Sequence, residues 1–467
     1  MEHHVRTWPT RLVARPWLLA FVPVNAASAG FGVTLPLLIL VRLHGSWAQV
    51  ALAAALFNGA VIGASLVWGL VTDRVPGRRY LLLVNYAGFA VGYLALAFVH
   101  SIPGVLALYF GIGLVAPAGA NASNLLILER FGTAERPGGF ASFQEVSMLG
   151  AVAGLLIGYV WLAGHAPLAP LLYVLAALAG ASAVAVVFGV RDAPTPMHIS
   201  AVVRHPEGLA SRLRHSLAMR TTFPFFPRVP KLRAGAGSRF RRWVREEAHH
   251  ELPLIFAATL LFNFSANLFN VSYTPYLLAA GVGTASIFLV NLGNNLAQTV
   301  AFPFSGSLSA REGADRLVRQ STYVRSLGYL AVAGFTFAVL TGGTAFALNA
   351  VAFAVMGAAI ALYSTSSSVI LFRSLEGRDA GSLIGLNSAL GGLAAVGGAV
   401  ASGVLAVFGS YRIVFLVSAL TLLASLPLWA LAHMATMRRQ PRGGPAPSAA
   451  PAKVERESRA VIAAQTE

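Results

Sequence analysis

Long apolar segments recur along the chain, and short polar or charged breaks separate them. A helix needs about 20 apolar residues to cross a hydrocarbon core of about 30 Å, and the segments reach that length. The pattern therefore predicts an all-α integral membrane protein with twelve membrane-spanning helices. The predicted spans are residues 17–43, 46–71, 79–100, 104–129, 139–164, 167–190, 252–280, 284–309, 321–342, 344–373, 381–408 and 411–436.

The longest break separates the first six predicted helices from the last six. It is rich in arginine, proline and histidine, which predicts a connector between two helical bundles. The end of the chain is rich in proline, alanine and glycine, a composition typical of disordered segments. The predicted organisation is an N-terminal segment (1–16), a first six-helix bundle (17–190), a basic connector (191–251), a second six-helix bundle (252–436) and a disordered tail (437–467).

The two predicted bundles carry a weak internal repeat. The stretch NASNLLILER in the first bundle aligns with STSSSVILFR in the second, so that Ser123 meets Ser366 and Arg130 meets Arg373. The same register continues through the following loop into the next predicted helix, which favours duplication over chance. Parallel six-helix repeats, related by an axis along the membrane normal, are a transporter architecture.

Composition supports membrane insertion and excludes several kinds of chemistry. The 467 residues are 56% hydrophobic and 11% charged, with a mean hydropathy of +0.69, whereas soluble domains are about 45–50% apolar. The chain has no cysteine, which excludes disulfides, thiolate metal sites and thiol redox chemistry. Every histidine lies in a tail, in a loop or at a span end, which argues against an intramembrane metal site or catalytic dyad. We therefore expect neither a metal, nor a cofactor, nor an enzymatic activity.

The net charge of +17 would suggest a nucleic-acid partner if the chain were soluble. When alternate loops are assigned to opposite sides of the membrane, all but two of the 34 lysines and arginines, Arg42 and Arg412, fall on one side. The positive-inside rule then puts both termini and the connector in the cytoplasm, with the protein in the cytoplasmic membrane. Because topology explains the basic charge, we expect no nucleic-acid partner.

The basic connector contains the stretch RFRRWVREEAHH (239–250), in which Phe240, Trp243 and Val244 lie at helical spacing among arginines. Such a helix would lie on the inner leaflet, with its apolar side chains in the interface and its cations near anionic lipid headgroups. The alternative is a solvated, flexible linker.

An acidic residue ends the second predicted helix, although the C-terminus of a helix favours cations. It belongs to the stretch GLVTDRVPGRR (69–79), which resembles the signature Gly-x-x-x-Asp-Arg-x-Gly-Arg-Arg of the major facilitator superfamily, in the loop where that family carries it. The loop is one residue longer than the signature, because Val75 and Pro76 stand where the signature has a single residue. In the corresponding loop of the second half, Ala310 stands where the acid would be. The matching residues are Gly69, Asp73, Arg74, Gly77, Arg78 and Arg79.

The resemblance implies a conformational latch in this loop. Asp73 would face the start of the eleventh helix, near Gly381 and Ser382, across the boundary between the bundles. The positive N-terminal dipole of that helix would hold the carboxylate and favour the state closed to the cytoplasm. The arginines of the loop would hold it at the inner surface.

The resemblance also implies a secondary transporter in which two bundles rock around a mid-membrane site. Glycines at positions 150, 154 and 158 resemble a pattern of drug antiporters, although Leu155 stands where that pattern has proline. Efflux of a small amphipathic solute by a monomer is the first expectation, and uptake of a sugar-like or other neutral metabolite is the second. A non-transporting receptor or scaffold with the same fold is the third, because fold does not fix function.

Two predicted helices that line the central cavity in this family carry stripes of amides at helical spacing. Buried amides are costly in hydrocarbon, so these faces must meet water, a ligand or other polar groups. Binding of substrate and hydrogen bonding between helices are both consistent with the pattern. The candidate substrate-binding residues are Asn263, Asn267, Asn270, Tyr273, Asn291, Asn295 and Gln298, with Asn25, Asn58, Asn121, Asn124, Tyr363 and Asn387.

The charges of the predicted cavity helices bear on the charge of the substrate and on the coupling of transport to protons. They carry no lysine or arginine at mid-depth, so we expect a neutral or cationic amphipathic solute. Glu145 is the only acid well inside a predicted span, and an intramembrane acid can carry a proton. Coupling to protons through Glu145 and a structural role beside the nearby basic loop are the two alternatives.

Overall fold

The computed structural model describes residues 16–75, 77–131, 136–191, 251–374, 380–408 and 410–439. In this part of the chain, long helices follow one another with short loops between them, and all twelve predicted spans correspond to helices. The predicted surface helix of the connector and the predicted disordered tail lie outside the described residues. The helices are α1 (Val22–Leu37, preceded by the 3-10 turn Pro16–Phe21 and continued by the π-helical turn Leu38–Arg42), α2 (Trp47–Arg74), α3 (Arg78–Phe98), α4 (Ile102–Arg130), α5 (Arg136–Ala163), α6 (Leu168–Gly189), α7 (Glu251–Ala279), α8 (Thr284–Glu312), α9 (Ala314–Phe337), α10 (Gly342–Ser374), α11 (Ala380–Val407) and α12 (Tyr411–Arg439).

Ten of the helices in the described ranges are long and apolar enough to cross a membrane by length and composition alone. The other two are α8, which carries the amide stripe, and α9, which carries several arginines. The sequence predicts that the ninth helix begins at residue 321, but α9 begins at Ala314. Because the polar first turns lower the hydropathy at that end, the apolar pattern alone places the start too late.

The helices form two six-helix bundles whose packing is alike. In the first bundle α1 packs against α5 and α6, α2 against α4, and α3 against α4 and α6. In the second bundle the equivalent pairs recur, with α7 against α11 and α12, α8 against α10, and α9 against α10 and α12. The bundles meet mainly through α2 with α11 and through α5 with α8. This is the two-bundle arrangement that the internal repeat predicts.

The two arginines that break the charge asymmetry each bind the end of a neighbouring helix. Both Nη atoms of Arg42 donate to the carbonyl oxygen of Ala97 in the last turn of α3, at 3.2 Å. Nε of Arg412 donates to the carbonyl oxygen of Thr336 in the last turn of α9, also at 3.2 Å. A helix C-terminus has unpaired carbonyls and a negative dipole, so a cation stabilises it. The exceptions to the positive-inside pattern therefore have a structural reason.

The start of α2 is fixed by a capping box. The side-chain oxygen of Ser46 accepts from the backbone N–H of Gln49 at 3.4 Å, and Oε1 of Gln49 accepts from the backbone N–H of Ser46 at 2.8 Å. Two backbone donors of the first turn are satisfied in this way. The cap places Trp47 as the first helical residue, where it faces the second bundle.

Three glycines spaced by four residues let α5 approach its neighbours closely. A Cβ atom on Gly150 or Gly154 would overlap the backbone of α1, in the second case at the carbonyl oxygen of Ala26. A Cβ atom on Gly158 would overlap the ring of Phe288 on α8. Small residues at helix contacts are how membrane helices gain packing energy without a hydrophobic driving force. The glycine pattern noted in the sequence therefore has a packing role within and between the bundles.

We expect Gly154→Ala to lower the stability of the protein by about 1–3 kcal/mol, because the added methyl group forces α5 away from α1. The measurement is the thermal midpoint of the purified protein in detergent. Gly63→Ala is the matched control, since a Cβ atom on Gly63 in α2 meets nothing within 4 Å. Equal midpoints for the two variants would contradict the packing role of Gly154.

Candidate functional site

The bundles are closed against each other at the end that the charge pattern predicts to be extracellular. Nε1 of Trp47 on α2 donates to Oγ of Ser402 on α11 at 3.2 Å, and its ring stacks on Tyr411 of α12 with centroids 4.3 Å apart. On the other side of the interface, Phe288 of α8 is fully buried against Gly158 of α5. A solute held between the bundles cannot leave past these contacts in this conformation.

The amide stripe of α7 is half-buried and incompletely hydrogen-bonded. Nδ2 of Asn263 donates to the carbonyl oxygen of Thr259, and Nδ2 of Asn267 donates to that of Asn263, both at 2.9 Å. Neither Oδ1 atom accepts a hydrogen bond from a described residue. Asn270, one turn further, is exposed. Asn263 and Asn267 thus each use one N–H donor along the helix, and their side-chain oxygens are available to water or a ligand.

The α8 stripe divides into two parts. Asn291 and Asn295 repeat the α7 pattern, because their Nδ2 atoms donate to the carbonyl oxygens of Ile287 (2.9 Å) and Asn291 (3.0 Å). Gln298 instead donates to Oδ1 of Asn294 at 2.7 Å, and Asn294 donates to a backbone carbonyl of α10. The hydrogen bond between helices is therefore made by Asn294, which Gln298 contacts within α8, whereas Asn291 and Asn295 keep free acceptors in the described part of the chain.

The remaining candidate amides are distributed over four helices. Nδ2 of Asn25 on α1 donates to the carbonyl of Phe21 at 2.7 Å, and Nδ2 of Asn58 on α2 donates to that of Ala54 at 2.9 Å. Both residues are half-buried, so they follow the pattern of the α7 stripe. On α4 and α11, Asn121 and Asn387 are half-buried and Asn124 is exposed.

The two candidate tyrosines lie inside the second bundle in this conformation. Tyr273 is 2% exposed, and its hydroxyl lies 3.3 Å from the backbone and side-chain oxygens of Asn349 on α10. Tyr363 is 5% exposed and stacks on Phe262 of α7 with ring centroids 3.5 Å apart. Both tyrosines therefore contribute to the packing around the site, and a ligand reaches them only if this packing opens.

A buried arginine lies behind the stacked pair of Phe262 and Tyr363. The predicted start of the ninth helix places Arg325 one turn from the cytoplasmic end, but α9 begins earlier and Arg325 lies about 16 Å along it. The side chain is 4% exposed, its Nε donates to Oη of Tyr329 at 2.8 Å, and its guanidinium carbon lies 5.0 Å from the Phe262 ring centroid. Nη1 has no hydrogen-bond partner among the described residues.

Arg325 was not found from the sequence because it stands on a helix that the family places outside the cavity. The spacing of Arg325 and Tyr329, one helical turn apart, is a signal from which a hydrogen bond along one face of the helix could have been predicted. Its positive charge is held against aromatic rings by cation–π contacts, which stabilise a desolvated cation.

In the loop that resembles the family signature, the Arg78 side chain is buried in the protein. Its Nε and Nη2 atoms each lie 3.0 Å from Oε1 of Glu129 at the end of α4, and both side chains are at most 2% exposed. Its Nη1 donates to the carbonyl oxygens of Thr72 (2.6 Å) and Val75 (3.1 Å). Arg78 thereby ties the end of α2 and the start of α3 to α4, and Glu129 is a partner that the sequence did not identify.

The second bundle has an equivalent ion pair with its charges exchanged. Asp315 in the first turn of α9 accepts from Nη2 of Arg373 in the last turn of α10 at 2.9 Å. Nδ1 of His433 on α12 lies 3.4 Å from the other oxygen of the same carboxylate. Each bundle thus has an ion pair between the start of its third helix and the end of its fourth, although the paired residues do not align in the register of the repeat.

Several residues of the latch lie where the structure describes only the backbone or nothing. The structure does not describe the side chains of Asp73 and Arg74, nor the surroundings of Gly381 and Ser382. The latch therefore stays a prediction. The remaining members flank the buried Arg78. Gly77 is buried just before α3, Gly69 is half-buried in α2, and Arg79 is half-buried with Nη1 donating to the carbonyl oxygen of Val187 at 3.4 Å.

Glu145 is half-buried and is the tenth residue of α5. The described residues include no group of three histidine, cysteine, aspartate or glutamate side chains that could hold a metal ion. The role of Glu145 in proton coupling stays a prediction.

Comparison with known proteins places this geometry in a family context. A sequence model of the Major Facilitator Superfamily matches residues 17–313 and 255–464. No curated protein matches the sequence significantly. A crystal structure of a mutant of the nucleoside transporter NupG is similar with a TM-score of 0.65 and 13% identity, covering 91% of this chain and 98% of that chain. At this identity the likeness shows a common fold and not a common substrate.

We expect Glu129→Gln to destabilise the protein by about 3–5 kcal/mol, because it leaves the buried Arg78 guanidinium without its counter-charge. Glu312→Gln is the control, since Glu312 and Arg316 form an exposed pair worth about 0–1 kcal/mol. Thermal midpoints of both purified variants are compared with the wild type. A shift for Glu129→Gln as small as the control would show that the buried pair does not hold α2, α3 and α4 together.

Proposed function

The chain belongs to the Major Facilitator Superfamily, and on that premise we propose that it exports a small neutral or cationic amphipathic solute by alternating access. Membership makes it a multi-pass membrane transporter. The direction, the substrate class, proton coupling, a monomeric state and cytoplasmic termini in the cytoplasmic membrane belong to the proposal.

The observation that carries the proposal is the set of free amide acceptors on two helices of the second bundle, α7 and α8. Asn263 and Asn267 on α7, and Asn291 and Asn295 on α8, each donate one hydrogen bond from Nδ2 to a backbone carbonyl of their own helix. Their carbonyl oxygens are left for water or a ligand, and polar groups in a membrane protein face a cavity or a partner. A solute with a few hydrogen-bond donors on an apolar body fits such a surface.

The buried charge of Arg325 favours the neutral members of this substrate class. The guanidinium lies behind Phe262, and no acid among the described residues pairs with it. A cation bound at the cavity face of this aromatic pair would experience repulsion in a medium of low effective dielectric constant. Neutral amphipathic solutes avoid this cost.

Uptake of a hydroxyl-rich neutral metabolite is the second candidate. The free carboxamide oxygens of the α7 and α8 stripes can accept hydrogen bonds from hydroxyl groups, as a sugar-like solute requires. The structurally similar NupG is a nucleoside transporter, and nucleosides carry both hydroxyl groups and an apolar ring. A substrate panel should therefore include nucleosides beside amphipathic drug-like compounds, with thermal stabilisation as the first measure of binding.

Replacing Asn267 and Asn295 together with leucine should abolish transport of whichever compound stabilises the wild type. The change keeps the number and branching of the side-chain heavy atoms and removes one amide from each stripe, with its free carbonyl acceptor. Flux is measured in proteoliposomes, and binding is measured by the shift in thermal midpoint. Both are expected to fall by at least about tenfold, the factor that corresponds to about 1.4 kcal/mol.

Ser307→Ala is the control for this pair, because Ser307 lies on α8, is exposed and bonds only to a carbonyl of its own helix. It should transport at the wild-type rate. Wild-type flux in the Asn267→Leu/Asn295→Leu variant would contradict the assignment of the stripes to the binding site.

Glu145→Gln tests proton coupling separately. If Glu145 carries the coupled proton, the variant should lose the acceleration of transport by an imposed pH gradient and retain exchange of substrate at equilibrium. Glu312→Gln, an exposed acid at the end of α8, should keep the response to the gradient. An unchanged gradient response in Glu145→Gln would assign Glu145 a structural role.

A further inference from the structure

A groove of about 440 Å³ lies on the outer surface of the second bundle, between α9 and α12. The two bundles meet mainly through α2 with α11 and α5 with α8, so this groove lies apart from the predicted transport site and faces lipid. Its accessible surface is almost entirely apolar, although two of its lining residues, Arg319 and Gln320, are polar. The lining residues are Arg319, Gln320, Tyr323, Leu426, Pro427 and Ala430.

The groove arises from the sequence of α12. Pro427 lies inside this helix, where it removes one backbone hydrogen bond and favours a bend. Ala430, on the same stretch, offers only a methyl group opposite α9. A small residue beside a bend leaves space that larger side chains would have filled.

Arg319 brings an unneutralised positive charge to the groove. Its Nε donates to the backbone carbonyl of Asp315 at 3.1 Å, which fixes the guanidinium and leaves both Nη groups without partners among the described residues. The Asp315 carboxylate is bound to Arg373 instead. Arg316, one turn away from the groove, is paired with Glu312. Of the two arginines in this part of α9, Arg319 is therefore the one whose charge is available to bind an anion.

The depth of Arg319 matches the headgroup region of a bilayer. It lies five residues after the start of α9, or about 7 Å along the helix axis. The polar headgroup layer adds about 5–8 Å on each side of the hydrocarbon core. Tyr323 follows one turn deeper and is 51% exposed, which suits an amphipathic ring at the membrane interface.

We propose that this groove binds an anionic phospholipid. Its phosphate is held by the two Nη groups of Arg319, since a guanidinium matches phosphate oxygens in a bidentate manner. One acyl chain lies over the Tyr323 ring and along Leu426 and Pro427. Basic pockets between membrane helices near the cytoplasmic side suit lipid headgroups of this kind.

The test uses the purified full-length protein and dioleoyl-phosphatidylglycerol as the probe, with native mass spectrometry counting bound lipids. The wild type should retain one phosphatidylglycerol more tightly than dioleoyl-phosphatidylcholine. Arg319→Gln should weaken phosphatidylglycerol binding by about fivefold, as expected for one arginine near a membrane surface. Arg316→Gln, which removes the same charge one turn away from the groove, should stay within about twofold of the wild type.

Two outcomes would overturn the proposal. Unchanged phosphatidylglycerol binding in Arg319→Gln removes the headgroup site, and an equal loss in Arg316→Gln shows diffuse attraction to the surface. Glycerol phosphate, which has no acyl chains, should fail to displace the lipid at equal concentration; displacement would mean that the site binds phosphate alone. Ala430→Phe fills the groove and should weaken the binding of both lipids. If Ala430→Phe does not fold, the comparison of Arg319→Gln with the wild type decides the question.

Discussion

A polar group inside a bilayer must find its partner within the protein, because hydrocarbon offers no hydrogen bonds. This constraint determines where the charged and amide side chains of this protein lie. Arg78 is buried with Glu129, while Arg42 and Arg412 bind carbonyls at the ends of α3 and α9. Asn263, Asn267, Asn291 and Asn295 each donate to their own helix and keep their side-chain oxygens free of described partners. These free acceptors on two neighbouring helices are the basis of the proposed binding surface.

Close helix packing gives the two bundles defined faces that can separate and rejoin. The glycines of α5 bring it against the backbone of α1 and the ring of Phe288. At the same end of the molecule Trp47 hydrogen-bonds Ser402 and stacks on Tyr411. One end of the interface is thus closed by a small number of aromatic contacts, which alternating access requires to be reversible. The ion pairs Arg78 with Glu129 and Asp315 with Arg373 lie within single bundles, so they keep each bundle rigid while the interface changes.

The second bundle also carries positive charge in two different environments. Arg325 is buried beside the aromatic rings of Phe262 and Tyr329. Arg319 is half-buried and lines the groove between α9 and α12. The first charge is the basis for proposing a neutral substrate, and the second is the basis for proposing a bound anionic lipid.

Apolar segment length and charge distribution were enough to predict the helices, the two bundles and the amide stripes, because bilayer thickness and helical periodicity act on local sequence. The partners of those side chains depended on tertiary structure. The sequence around Glu129 gives no local signal of its pairing with Arg78. Tyr273 is predicted to line the cavity, but in this conformation it is packed inside the second bundle beside Asn349 of α10. The start of α9, and with it the depth of Arg325, escaped the hydropathy pattern since polar first turns resemble a loop. Periodicity determines which residues share a face of a helix; only the packing of one helix on another decides what that face meets.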